Sequence, residues 1–395
     1  MPDPLPGSPD PPALRDAVDA RYERYLAELA ELVSIDCGSY TPAGVNRVAD
    51  RVASWLAELG ASVERTPQQP AEGEPQLGDL VVGELAGSGP RILLIGHMDT
   101  VFDPGTAAAR PFRSEGNRAY GPGVSDMKGG LLAGLHALAA LQQFGARPNV
   151  TFVANPDEEI GSGFSTPFIR RLAQNHDVAL VLECARANGD IVSARKGIAD
   201  LQISYRGRAA HAGVEPEKGH SAILAAARAV VELTALSGRW PSVTVNAGTI
   251  AGGTRPNVVA ERCEVGLDLR AASVKEFAAA RDEVSRIVGS PAVAGVTADV
   301  QETASHAPME RSPASARLVT LAQAIARDLG FAVNDAATGG ASDANTTSGA
   351  GLPTLDGLGP IGGDDHSPDE WLDLTSVVPR TALLAGLIAR VGEAL

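Results

Sequence analysis

The chain has 395 residues, 44% hydrophobic but only 4% aromatic, with 43 glycines. A formal charge of −15 excludes the basic footprint of a nucleic-acid binder or of a protein docked on anionic lipid, and the length predicts two domains. Three scattered cysteines, Cys37, Cys184 and Cys263, form no CxxC pair, which argues against a disulfide framework or thiolate zinc site and fits a cytoplasmic protein.

Residues 1–12, MPDPLPGSPDPP, have neither a basic n-region nor an apolar h-region, so they read as a disordered lead and not as a secretory signal. Apolar residues then recur at helical spacing over Leu14–Ile35 and Val45–Leu59, the second closed by Gly60. DLVVGEL and RILLIGHMDTV, bounded by Gly and Pro, read as strands. Gly129–Phe144 reads as a helix, NVTFVANPDEE as a strand and its exit loop, Ser165–Ala173 as a helix and VALVLECA as a strand. This alternation predicts a three-layer α/β domain. No run of about 18 apolar residues predicts a membrane span.

After about Gly189 the pattern changes. IADLQISYRG alternates as a half-exposed strand, Ser221–Leu236 is an Ala-rich helix, and SVTVNAGTI and RCEVGLDLR are strands. Ser273–Val288 is a helix and GVTADVQET a last strand, which together give the ferredoxin-like split order. From Ser312 the chain returns to helix, Gly-rich loop and a final helix, Leu374–Val391. The expected organisation is an α/β domain over 13–193 and 304–395, interrupted by an α+β insert over 194–303.

GPGVSDMKGG, Gly121–Gly130, poses the chemical question. A dinucleotide fingerprint needs a third Gly where Asp126 stands, an acid there repels pyrophosphate, and Pro122 removes a donor. The Walker pattern fails as well, because Lys128 is followed by Gly129 and not by Ser or Thr. What survives is a bent loop that delivers a carboxylate to a strand–helix junction.

His97 and Asp99 end a strand, and an acid two residues from a histidine can orient its ring. NPDEEIGSG places Asp157, Glu158 and Glu159 beyond another strand, where ligands collect in open α/β sheets. Glu183 ends the apolar strand VALVLECA, and His366 sits in GGDDHSP. Two histidines and three carboxylates suit two zinc-like ions if one carboxylate bridges them, leaving a further Glu as base.

GHMDTV, GPGVSDMKGG, PDEEIGS, LEC, the later HAG and the final HSP occur in this order over nearly the whole chain. The set resembles the M20 family of metallopeptidases, in particular its glutamate carboxypeptidase branch. The resemblance implies a zinc-exopeptidase-like catalytic domain with an inserted dimerisation (lid) domain. It implies that His97 and Glu183 bind one ion, His366 and Glu159 the other, that Asp126 bridges them, and that Asp99 holds the ring of His97. Glu158 would be the general base and then acid. The ions would be zinc, with cobalt and manganese also suited to N/O sites.

The same resemblance implies that His211 stabilises the oxyanion, reaching in from a partner subunit, and that the protein is a homodimer through the insert. Asn257 and Arg270 would hold the substrate's terminal carboxylate, the backbone of Gly340 would contact the substrate nearby, and Lys196 and Arg195 would help. The branch usually carries a further arginine after the insert's last strand; here QETASHAPMERS offers His306 and Arg311. The expected activity is hydrolysis of an amide next to a free carboxylate in a small peptide or N-acyl amino acid. The alternatives are an aminoacylase or dipeptidase and, in a different class, an inactive M20-like binding protein.

Overall fold

The computed structural model describes residues 9–395. Most of the expected lead lies outside those residues, but its end is ordered. Asp10 accepts the Ala13 amide and caps a helix over Pro11–Asp19, with proline in the first turn, where no donor is needed. The single helix expected over Leu14–Ile35 is two, Pro11–Asp19 and Tyr22–Val33. The chain leaves helical geometry at Arg21 (φ −106°, ψ 0°), and the apolar spacing resumes in phase beyond the break, which hid it.

The chain divides into two compact units. One contains the chain up to Ser193 together with Arg311–Ala337 and Ser342–Leu395; the other is Ala194–Glu310 with Thr338–Ala341. The first is built on strands β1 (Ser62–Thr66), β2 (Leu80–Leu85), β3 (Ser88–His97), β4 (Pro148–Asn155) and β5 (Val178–Val181). The insert contains β6 (Gly197–Arg206), β7 (Thr244–Gly252), β8 (Arg262–Ala271) and β9 (Thr297–His306), and β10 (Thr354–Leu355) follows in the returning segment.

The sheet of the first unit runs β1-β2-β4-β3-β5-β10. β3 pairs in parallel with β4 and β5, and β5 with β10. Strands covered on both faces read as unbroken apolar runs, and β3 follows this rule. Ile92 and Leu94 join the large core with the helices Pro42–Glu58, Gly129–Gln143 and Leu374–Arg390, while Leu93 and Ile95 are buried outside it. The helix Gly129–Gln143 is buried on every side, and Gly130 lets it approach the sheet: a Cβ there would lie 1.8 Å from the Leu182 carbonyl oxygen. The final helix is apolar and long enough to cross a membrane, but most of it is buried in this core.

The insert is one antiparallel sheet, β7-β8-β6-β9, with the helices Ala222–Thr234 and Val274–Val288 packed on one face. The expected boundary at residue 303 falls inside β9. A register shift between Glu302 and Ala304 breaks the alternation there, and the strand continues to His306 opposite Ile198. That bulge is why the sequence pattern stopped short.

Candidate metal centre

Strand ends and loop bends of the first unit bring six chemistry-bearing side chains together. His97 is the last residue of β3, and Asp126 lies in the loop before the helix Gly129–Gln143. Glu158 and Glu159 begin a short turn beyond β4, Glu183 follows β5, and His366 adopts positive φ in the returning Gly-rich loop.

The Nε2 of His97 is 3.1 Å from Asp126 Oδ1, and the Nε2 of His366 is 3.1 Å from Asp126 Oδ2. Each imidazole also meets a second carboxylate: Glu183 Oε1 lies 3.7 Å from His97, and Glu159 Oε2 lies 3.0 Å from His366. Ligand atoms of His97, Asp126 and Glu159 lie within 4.8 Å of one another, as do those of His97, Glu158 and Glu183. His97 is buried, whereas the His366 side chain is 55% exposed, so the cluster has a closed side and an open one.

Four carboxylates around two imidazoles concentrate negative charge that protons or cations must neutralise. Burial alone would lower His97, but hydrogen bonds to Asp126 and Asp99 outweigh it and hold its pKa well above the usual value. His366 is pushed up to about 11 by Asp126 and Glu159. Burial opposes ionisation of Asp126, yet the two imidazoles hold it below the usual carboxylate range. Glu158 and Glu159 are raised, chiefly by burial. The two imidazoles and the clustered carboxylates form a set of donors that could hold cations.

Asp99 anchors the cluster from behind. The Nδ1 of His97 lies nearer the main-chain oxygen of Asp99 (3.0 Å) than its carboxylate (3.4 Å). The carboxylate itself accepts from the Ser39 hydroxyl at 2.7 Å and from the amides of Glu158 and Glu159, each at 3.1 Å. Asp99 therefore joins the histidine strand to the acidic turn, a wider task than holding one ring.

Beneath the acidic turn, Asp343 accepts from Ser162 Oγ and Asn155 Nδ2 at 2.7 Å each, and Asp157 accepts from the Phe164 amide at 2.7 Å. Burial pushes Asp157 up to about 6. Around Asp126, the buried Lys128 ammonium donates to the carbonyls of Pro122 (2.9 Å) and Ile35 (3.3 Å). Glu370 accepts from the amides of Gly123, Ser125 and Asp126. Its carboxyl is pushed up to about 7 by burial, against those three donors.

The sequence reading missed Glu370, Ser39 and Asp343. Ser39 and Asp343 sit in ordinary polar stretches. The one signal for Glu370 was an acid just before the apolar pair Trp371–Leu372, four residues after His366.

Most of the remaining expected residues lie in the insert. His211 is exposed; its Nδ1 accepts the Gly213 amide at 3.2 Å, and its backbone bridges to Val258. The Ala212 amide donates to the Asn257 carbonyl at 3.0 Å, so the segments that carry His211 and Asn257 are neighbours in the insert. Arg270 donates from Nε to both Asp268 oxygens at 3.1 Å and from a terminal nitrogen to the Gly339 carbonyl at 2.9 Å. Arg195 reaches the Gly340 carbonyl at 3.1 Å, and the Lys196 amide donates to Thr338. Arg311 is engaged with Asp335 in the first unit, while His306 ends β9 in the insert. His136 lies in the helix Gly129–Gln143, buried, with its Nε2 2.7 Å from Glu28.

Residues 93–390 match the model of peptidase family M20/M25/M40. Carboxypeptidase G2 from Pseudomonas sp. (strain RS-16) is 30% identical over 93% of this chain and 89% of its own length. Acetylornithine deacetylase from Proteus mirabilis is 27% identical over 85% and 88%. Among solved structures, aminopeptidase PepT from Bacillus cereus superposes with a TM-score of 0.76 at 24% identity, covering 93% of this chain and 98% of that one.

Proposed function

The chain belongs to peptidase family M20/M25/M40, as a metallopeptidase or amidohydrolase, and we propose that it cleaves an amide bond next to a free carboxylate with two divalent ions, zinc foremost. The observation that carries this reading is Asp126, whose two oxygens each face the Nε2 of a different histidine at 3.1 Å. A carboxylate between two imidazoles, each with a further acid beside it, suits a pair of tetrahedral N/O sites. His97 and Glu183 would hold one ion, His366 and Glu159 the other, and Asp126 both. Bound there, the ions would supply Lewis acidity to a water and to the scissile carbonyl.

The protein's own groups do the rest. Burial raises the Glu158 pKa, and its carboxyl lies with His97 and Glu183 in one group of candidate ligand atoms, where it would serve as general base and then acid. It accepts a proton from the attacking water on a carboxylate oxygen and passes it to the departing nitrogen. Asp99 fixes the amides of Glu158 and Glu159, so base and ligand move together if at all. The exposed imidazole of His211 would stabilise the oxyanion. Arg270 and Asn257 would receive the substrate carboxylate, the Gly340 backbone would contact the substrate, and Lys196, whose amide donates to the Thr338 carbonyl, would assist.

His211 acts across a homodimer in this reading. The insert offers a face for it: β7 is an edge strand with Ile250 53% exposed, and the helix Ala222–Thr234 exposes Val231 at 69% and Leu224 at 45%. Three free, buried cysteines suit the cytoplasmic setting that we propose.

A second reading, deacylation of N-acyl amino acids, is favoured by Arg270. Asp268 occupies one edge of its guanidinium, and no further arginine is assigned to a glutamate side chain. Turnover of an N-acyl-glutamate, a pteroyl-type glutamate amide, N-acetyl-ornithine and Gly-Xaa dipeptides by zinc- and cobalt-loaded protein separates the readings. Failure on every such amide would remove the proposal.

A further inference from the structure

The Gly-rich loop before Asp126 presents a row of main-chain amides, the kind of nest that in other proteins receives a phosphate. Here the anion is internal. One oxygen of Glu370 accepts the Gly123 amide at 2.8 Å; the other accepts Ser125 at 2.8 Å and Asp126 at 3.1 Å. The residue is 1% exposed and lies 244 positions from Asp126. A buried carboxylate is costly unless its lone pairs are met, and three amides from one bend meet them.

Two consequences follow from which amides these are. The Asp126 N–H is one of the three, so Glu370 fixes the backbone from which the Asp126 carboxylate reaches both imidazoles. Glu370 also stands four residues beyond His366. One short segment thus supplies the histidine that faces Asp126 Oδ2 and the carboxylate that sets Asp126 in place. The Lys128 ammonium grips the same loop through the Pro122 carbonyl, so opposite charges hold its donors and its acceptors. A side chain placed between two histidines at 3.1 Å on each side tolerates little drift of its main chain.

We infer that Glu370 is a positioning residue for the metal-bridging carboxylate: an anion built into the chain that fills the amide nest of the Asp126 loop. This rests on the two-ion reading above. Glu370→Gln turns an acceptor into a donor facing one of the amides, and Glu370→Ala leaves the nest empty.

Zinc and cobalt affinities of both variants, measured by chelator competition, are expected to fall on the order of 10–100-fold, with altered cobalt d–d bands. In Glu370→Ala, formate is expected to recover part of the lost affinity where chloride at equal ionic strength does not. Folded variants that bind both metals as the unsubstituted protein does overturn the proposal, as does equal recovery with chloride. If neither variant folds, hydrogen exchange of the 121–128 segment in the metal-free, unsubstituted protein decides. Protection without metal supports Glu370 as the brace, and protection that arises only on adding zinc overturns it. Should the unsubstituted protein bind no metal, the two-ion reading fails, and the exchange measurement still settles whether Glu370 holds the loop.

Discussion

The two units fix their chemistry-bearing side chains by opposite means. In the catalytic unit several are braced by buried groups from distant parts of the chain: Ser39 and two amides on Asp99, Glu370 and Lys128 on the Asp126 loop, Asp343 beneath the acidic turn. In the insert, His211 is exposed and has one amide contact at its ring, and Arg270 is steered by an acid two residues away on its own strand. A cluster of like charges needs a rigid frame to exist at all, since each carboxylate must be desolvated near others. Groups that meet a substrate can be held loosely, because the substrate completes their hydrogen bonds on arrival.

The comparison predicts graded effects. Glu158→Gln should keep both ions and lower kcat on the order of 10²–10⁴-fold, read by metal analysis beside steady-state kinetics, because an amide cannot take the proton. Retained turnover would remove Glu158 from that role. His211→Ala should cost about 10²-fold in kcat with metal content and dimer mass unchanged. An unchanged kcat would place the insert's histidine outside the reaction.

Asp268→Asn should raise KM about tenfold while kcat moves little, since it releases the guanidinium of Arg270 that is proposed to meet the substrate. An equal fall in kcat would mean that Arg270 acts on the transition state.

The smallest effect concerns pH and the buried His136–Glu28 pair. Burial lowers the pKa of His136, and hydrogen bonds from His136 and Arg24 lower Glu28 despite its burial. With both folded values depressed, the unfolded chain binds protons first as pH falls. The pair's contribution is therefore present above the unfolded histidine value of about 6.5 and is lost below it, with a second loss below about 4.5. Between about pH 7.5 and pH 5, His136→Gln should lose roughly 1–3 °C less in Tm than the unsubstituted protein. Parallel curves would show that the pair contributes nothing through its protons.

Side chains that announce themselves by type and place were legible in the sequence. His97, Glu158, Glu159 and Glu183 stand at or just beyond strand ends, which the alternation of strands and helices located, while Asp126 and His366 sit in glycine-rich loops. What supports them was not legible, because its partners are main-chain groups or lie far off in sequence. Glu370 binds amides, and amides carry no letter. The break at Arg21 and the bulge at Thr303 were hidden for a related reason: periodicity records which face is apolar and is silent about one displaced residue. The wider task of Asp99 was equally invisible, since two of its donors are backbone N–H groups.

The discontinuity of the catalytic unit sets an order of events during synthesis. Asp126 leaves the ribosome 240 residues before His366, and the whole insert emerges between them. The insert has its own core and can fold while the older half of the catalytic unit waits with its acids beside a single histidine. The second imidazole, the carboxylate for the amide nest and the final helix arrive together at the end. If the chain holds two ions as proposed, their capture is thereby tied to completion of the chain, because a product truncated before His366 lacks one of the two imidazoles.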